Sequence, residues 1–426
     1  MNRFIQSIQG KKVLIFGLGR QGGGVGDAAW LRAHGAIVRT SDRDVSLVPE
    51  GQTKEQIDWA EMIIKNPGVP DNHELLHYAQ SKHLPVLTSI AIFVKYTLLF
   101  TIGVTGTRGK STTTALITNV LESAFPGQVV TGGNVPGTSG LALFDHEETK
   151  KYAVLELSSF QLHNFHDLQV SPHIAVVTNL YPDHLNRYAS MVEYQRDKEA
   201  IVAYQTPNDL TLYNQDNPGA SAIAKTSTGQ VIAYTATSVR SWETPLPGLH
   251  NRENLAGMQA IAKTLGISED VSRHVAKNFS GLPFRQELIR SFNGVNYVND
   301  TTATTPTAAI KALQASTSPI IWITGGDTKN LPYDDLLLEI QSNQNLRKII
   351  ILGSKNIPDY TAALSQLVGG KIVGTATSMS EAVTLARRVA ETGDTVLLSP
   401  GFASFDLFQN EFDRGRQFNE RVKALT

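Results

Sequence analysis

A chain of 426 residues is too long for one ordinary hydrophobic core, and a scale of ~150 residues per domain predicts about three domains. Lys and Arg number 38 against 39 Asp and Glu, so no global field draws the protein to nucleic acid or to an anionic membrane, and any basic site must be local. The absence of cysteine excludes disulfides and thiolate chemistry, MNRFIQSIQGKK lacks the apolar core of a signal peptide, and no apolar run approaches the ~20 residues of a membrane span; a cytoplasmic protein is expected.

The chain opens with KKVLIFGLGRQGGG, which reads as a buried strand, Val13 to Phe16, running into Gly17-x-Gly19-x-x-Gly22. A second strand, AIVRTSD, ends at Asp42, near the ~20-residue spacing at which an acid binds a ribose. Taken alone this points to NAD, but the same turn binds any diphosphate, including a sugar nucleotide. For Gly23 and Gly24 close packing of helix on strand is an equal reading. IIKNPGVP, Ile63 to Pro70, is a strand that ends in a turn because Pro67 and Pro70 forbid helix continuation. HLPVLTSIAIF predicts another buried strand before the Lys95 to Phe100 junction, which completes an α/β unit over residues 1–97.

GVTGTRGKSTTT, Gly103 to Thr114, lies between an apolar run and an amphipathic one, so its glycines sit in a strand-to-helix turn. There the backbone of Gly106 and Gly109 curls its N–H groups inward and the helix start adds partial positive charge, the setting for a phosphate. Lys110 would reach the terminal phosphates of a nucleotide and Ser111 would ligate magnesium. The eight-residue Walker pattern wants Gly where Val104 stands, so this is the shorter G-T-x-G-K-S form. TGGNVPG, Thr131 to Gly137, reads as a turn. Strands follow at Tyr152 to Leu157, interrupted by Glu156, and at Ile174 to Thr178, which ends in Asn179, Asp183 and His184. The alternation predicts a parallel sheet with ligands at the carboxyl ends of its strands. Glu156 and His184 fall where a magnesium at the loop is within reach, though His184 reads equally as a capping or orienting residue. Lys198, among helix formers in MVEYQRDKEAIVAY, reads by itself as a solvated surface lysine. From about Arg285 a third α/β unit is expected, with strands at Ile320 to Thr324, Lys348 to Leu352 and Thr395 to Leu398 and a helix at Ser380 to Glu391.

GTRGKS, LELSSFQL, TNLYPDHLNRY and YQRDKEAI, in this order and at this spacing, resemble the Mur ligases, and LELSSFQL resembles the branch that adds D-glutamate to UDP-N-acetylmuramoyl-L-alanine. The resemblance continues through PGLHNRENLAGMQA, GLPFRQELI, VNYVNDTTATTP, ITGGDTKN and LLSPGFASFDLFQNEFDRG, essentially the whole chain. It implies an α/β protein of three domains: a Rossmann-like UDP-sugar-binding domain (1–97), a central P-loop ATPase domain with a parallel sheet (98–284) and a Rossmann-like amino-acid-binding domain (285–426). ATP, two magnesium ions, the sugar nucleotide and D-glutamate are the implied ligands, of a monomer with no nucleic-acid or membrane partner.

Residue by residue, the resemblance puts Asp42 and Arg43 near the uracil, and Gly19, Arg20, Gln21, Asn66 and Gly68 near the diphosphate. Asn134 and His184 would meet the bound sugar-peptide or the metals. Gly106, Thr107, Arg108, Gly109, Lys110, Ser111 and Thr112 would hold the ATP phosphates, Asn251 and Arg285 the adenine, and Asp300 the ribose. Lys110, Glu156, His184 and Lys198 are the implied catalytic set. Ser111, Glu156, His184 and a carbamylated Lys198 would ligate magnesium, so the resemblance overturns the surface reading of that lysine. Thr302, Thr304, Lys329, Ser404 and Phe405 would face the incoming amino acid or the phosphates, although Phe405 alone reads as core.

The chain departs from that pattern at three places. Thr302 stands where the D-glutamate branch commonly has a lysine, and a hydroxyl supplies no charge to a dicarboxylate. Arg108 replaces an asparagine, either as an extra phosphate contact or facing solvent. Glu411-Phe412 reverses an aromatic-acid pair. The alternative acceptor is L-glutamate. An NAD oxidoreductase leaves the phosphate loop unexplained, and poly-γ-glutamate or folylpolyglutamate synthases lack the N-terminal unit.

Overall fold

The structure is a computed structural model that describes residues 2–19, 22–135, 137–183, 187–246, 248–328, 331–355, 357–404 and 406–426. Its strands form three sheets. The first holds β1 (Lys12–Phe16), β2 (Ile37–Ser41), β3 (Met62–Lys65) and β4 (Val86–Leu87) in the order β2-β1-β3-β4, all parallel. The second holds β5 (Phe100–Thr105), β6 (Val129–Gly133), β7 (Tyr152–Glu156), β8 (Ile174–Val177), β9 (Leu210–Asn214) and β10 (Gln230–Tyr234) in the order β10-β9-β8-β5-β7-β6, again all parallel. The four central strands read as near-continuous apolar runs because helices cover both faces of such a sheet.

Two of the expected elements are corrected. HLPVLTSIAIF yields only the two-residue β4, and Ser89–Tyr96 is a helix. Ile90 to Val94 are all buried, so the run has no polar face, and period cannot separate a strand from an all-round buried helix. TGGNVPG is not wholly a turn, since β6 runs through Gly133 and pairs it with Glu156 of β7. Gly133 has φ +92°, and a Cβ there would lie 2.1 Å from the Glu156 carbonyl oxygen; glycine is what permits this strand end. The helix expected at Ser380 to Glu391 spans Met379–Val389, capped by Ser378, whose side chain accepts from Glu381 N.

The first two sheets share one hydrophobic core, from Phe4, Val13 and Ile64 through Ile90 to Val94 and on to Leu155 and Val177. Contacts accordingly join Met1–Phe279 into one compact unit, and Ser280–Thr426 form a second. The second unit carries β11 (Glu287–Phe292), β12 (Val295–Asn299), β13 (Ile320–Gly325), β14 (Leu346–Leu352), β15 (Ile372–Ala376) and β16 (Thr395–Leu398) in the order β11-β12-β16-β13-β14-β15. Among the described strand pairs of this sheet only the β11–β12 hairpin is antiparallel. Among the described residues no helix is long and apolar enough to cross a membrane.

Candidate active site

The turn between β5 and the helix Lys110–Ala124 is built from the end of β8. Gly106 has φ +153°, and a Cβ on it would fall 1.9 Å from Thr178 Oγ1; Gly109 has φ +80° and caps the helix, with Asn254 Oδ1 2.4 Å from where its Cβ would be. Both positions need glycine, for conformation and for space. Thr107 N donates to Asn179 O at 3.0 Å and Arg108 N to Asn179 Oδ1 at 2.8 Å, so one asparagine fixes the loop backbone. Thr178 Oγ1 donates to Arg108 O at 2.7 Å. Lys110 Nζ folds over the loop and donates to Gly106 O at 3.0 Å and Thr107 O at 3.1 Å. Ser111 and Thr112 open the helix, half-buried, and the Arg108 side chain is exposed, which fits the solvent-facing reading.

Glu156 ends β7 beside this loop, in register with Val104, and is buried. Its Oε1 accepts from Asn134 Nδ2 at 2.9 Å, and its carbonyl accepts from Asn134 N at 2.7 Å. Lys198 lies on the helix Met191–Ala203 with only 1% of its surface exposed. Its Nζ donates to Gly106 O at 3.0 Å. Burial, and then the nearby Lys110 charge, hold its pKa well below the usual lysine range, against the pull of Asp183 and Asp197. Burial of this kind disfavours the charged ammonium relative to a surface lysine. Asn251 joins the cluster through Asn254, which donates to Asn251 Oδ1 at 3.2 Å and accepts from Thr113 Oγ1 at 3.2 Å.

A second cluster gathers at the first sheet. Asp42 is buried and spends its carboxylate on its own turn, accepting from Gly19 N and from Asp44 N, both at 2.9 Å; Arg43 beside it is exposed. A Cβ on Gly19 would lie 2.9 Å from Asn66 Nδ2, so these two expected neighbours meet, and Asn66 Oδ1 accepts from Gly68 N at 2.8 Å. Gly24 serves the packing reading: its Cβ would fall 2.4 Å from Leu18 O.

In the second unit Asp300 follows β12. Its carboxylate accepts from Ser399 Oγ at 2.9 Å and Gln286 N at 3.2 Å, yet burial outweighs these bonds and the Arg285 charge and pushes its pKa up to about 6. Thr302 Oγ1 donates to Phe284 O at 2.9 Å, and Phe284 has φ +66°. Thr304 is half-buried and Ser404 fully buried. No local signal marks Arg414, which is fully buried and donates to Thr301 Oγ1 at 2.9 Å, Thr301 O at 3.0 Å and Phe402 O at 3.2 Å. Burial draws its pKa down to about 9. Asn179, Tyr194 and Arg187 were likewise missed as organising residues, since the partners that matter, in the phosphate loop and in the turn after β3, are distant in the chain. Arg20, Gln21, His184, Lys329 and Phe405 lie outside the described residues.

The donors suit magnesium. Ser111 and Glu156 offer hard oxygens of the kind that magnesium takes. Lys198 becomes an oxygen donor only as a carbamate.

Parallel sheet, strand-to-helix phosphate loop and buried lysine together define an α/β protein of the nucleotide-binding class. Residues 104–244 match the Mur ligase middle domain and residues 284–402 the Mur ligase glutamate ligase domain. The chain is 33% identical to the UDP-N-acetylmuramoylalanine--D-glutamate ligase of Roseiflexus sp., over 98% of this chain and 100% of that one. It is 34% identical to the ligase of the same name from Christiangramia forsetii, with the same coverage. The fold is shared with the UDP-N-acetylmuramate-alanine ligase of Thermotoga maritima (18% identity, 97% and 99% of the two chains, TM-score 0.59). It is shared also with the MurF ligase of that organism solved in complex with ADP (15%, 98% and 96%, TM-score 0.59). The chain belongs to the Mur ligase family and is a ligase.

Proposed function

We propose that this chain is the cytoplasmic ATP-dependent ligase that joins D-glutamate to UDP-N-acetylmuramoyl-L-alanine in peptidoglycan precursor synthesis, acting as a monomer. The observation that carries this reading is the end-to-end match to D-glutamate ligases, 98% of this chain against 100% of a relative. Residues 1–97 would bind the sugar nucleotide, 98–284 ATP, and 285–426 the amino acid; the three sheets support that division.

A carboxylate is a poor electrophile, so it must be activated. A carboxylate oxygen of the alanyl group attacks the γ-phosphorus of ATP, the bond to the β-phosphate oxygen breaks, and ADP leaves. The amine of D-glutamate then attacks the carbonyl carbon of the acyl phosphate. The tetrahedral species expels inorganic phosphate, the nitrogen loses its proton, and an amide remains. Lys110 and the helix start behind it would offset charge on the transferring phosphoryl group. Magnesium, held by Ser111 and Glu156, with His184 and carbamylated Lys198 for a second ion, would supply charge neutralisation between the two anions. Carbamylation of Lys198 joins its neutral Nζ to the carbon of CO2 with loss of one proton, and the buried, depressed amine supports this. Asn251 and Arg285 would meet the adenine, Asp300 the ribose, and Thr302, Thr304, Lys329, Ser404 and Phe405 the amino acid. Thr302 engages the Phe284 carbonyl and brings no charge, which keeps L-glutamate as the second reading.

The test is ATP-dependent phosphate release with UDP-N-acetylmuramoyl-L-alanine and, in parallel, D-glutamate, L-glutamate and other amino acids. Release with D-glutamate is expected. Release only with another amino acid keeps the ligase and changes its acceptor, and no release with any of them overturns the reading.

A further inference from the structure

One chain of charges in the first unit has no part in the chemistry above. Lys65, the last residue of β3, is buried to 1% exposure and paired with Asp71 in the turn that follows. Asp71 Oδ1 lies 3.9 Å from His163 Nε2, and His163 Nδ1 lies 3.0 Å from Asp197 Oδ1. Asp197 is buried and stands one residue before Lys198 on the helix Met191–Ala203. His163 therefore bridges two carboxylates. One belongs to the turn that carries Asn66 and Gly68, the other to the helix that carries Lys198. The two acids hold its pKa above the usual histidine value, Asp197 foremost through its hydrogen bond, while Lys65 opposes them.

The same turn is gripped a second time. Arg187 donates to Gly68 O and Pro67 O, both at 3.2 Å, and its guanidinium lies 4.1 Å over the Phe160 ring. Phe160 stacks on Tyr188, Tyr188 packs on Tyr194, and Tyr194 contacts both Lys198 and Thr107 of the phosphate loop. A polar and an aromatic path thus run between the same two places.

We propose that His163 is a positioning residue for the sugar nucleotide: as a cation between Asp71 and Asp197, it fixes the Asn66–Asp71 turn against the helix that bears Lys198. This rests on the functional reading above, and it assigns His163 no contact with substrate. Two like-charged carboxylates face this ring from opposite sides, so a neutral side chain leaves them to repel and lets the turn move. Lys65 stays paired with Asp71 in either case, so the fold survives.

Steady-state kinetics of the full chain should be measured for wild type, His163→Gln, His163→Ala and His163→Arg, varying each of the three substrates in turn. For Gln and Ala the expected result is a rise of about three- to fivefold in KM for the sugar nucleotide, the effect of one partly exposed charge pair, with KM for ATP and kcat within about 1.5-fold. Arginine keeps the charge and should restore KM to near wild type. A uniform loss of kcat in all three variants, or an unchanged sugar-nucleotide KM in Gln and Ala, overturns the proposal while the ligase reading stands. A wild-type chain with no turnover of this sugar nucleotide overturns both.

Discussion

Gly106→Ala tests the loop geometry most directly. The new Cβ falls 1.9 Å from Thr178 Oγ1 and 3.0 Å from both the nitrogen and the oxygen of Asn179, at a backbone φ of +153°. Relief demands rotation of the buried Thr178 hydroxyl out of its bond to Arg108 O, and the backbone must leave a conformation that alanine rarely adopts. A lost buried hydrogen bond costs about 1 kcal/mol and the backbone strain about 1–3 kcal/mol, so the variant should lose roughly 2–4 kcal/mol. The damage is local to function because Gly106 O accepts from both Lys110 and Lys198. Urea denaturation measures the stability, and the rise in Tm on adding ADP with magnesium measures nucleotide binding. Both should fall. Thr178→Ala in the same chain removes the hydroxyl clash but leaves the backbone strain, so a double-mutant cycle should return only about 1 kcal/mol. A Gly106→Ala protein within about 0.5 kcal/mol of wild type, with its full ADP-induced Tm shift, would refute the reasoning.

Further predictions follow the same logic at other sites. Asp300 has its pKa raised from 3.8 to about 6, so the folded state binds the extra proton between those values and stability is lost as pH rises through that window. Asp300→Asn should therefore unfold about 2–3 kcal/mol later than wild type at pH 7 and converge with it near pH 4, as urea titrations across pH would read, at the expense of nucleotide affinity. Asn134→Asp sets a second carboxylate against Glu156 Oε1, now bonded at 2.9 Å, and should destabilise by about 1–3 kcal/mol with partial recovery in magnesium, a shift that calorimetry with and without the metal would detect. Gly24→Ala drives a Cβ to 2.4 Å from Leu18 O and should cost about 1–3 kcal/mol without changing nucleotide affinity; an unchanged Tm would return Gly24 to the ligand-binding reading.

Much of the second and third sheets was legible because their central strands are apolar runs bounded by turn residues. Ile174 to Thr178 and Thr395 to Leu398 were read almost to the residue, and β16 matches its expected limits. Legibility failed where local signals are ambiguous. Ile90 to Val94 are buried on every side, which hides their helical period, and Gly132 and Gly133 pass for a turn because strand β6 needs glycine only on account of what lies opposite, Leu143 and the Glu156 carbonyl.

The chemistry-bearing residue types and their order were set by the sequence alone: the Gly103 to Thr114 loop, Glu156, Lys198 and the run of motifs that mark a Mur ligase are local words, readable without neighbours. The environment of those residues was decided by tertiary structure. Lys198 sits among helix formers in a segment that a linear reading leaves on the surface, and only the packing of its helix against β5 and the phosphate loop buries it, strips its solvent and draws its pKa down. Arg414, His163 and Asn179 act through partners 113, 34 and 71 positions away, respectively. Burial and partner choice are sums over residues distant in the chain, and no window of sequence contains them.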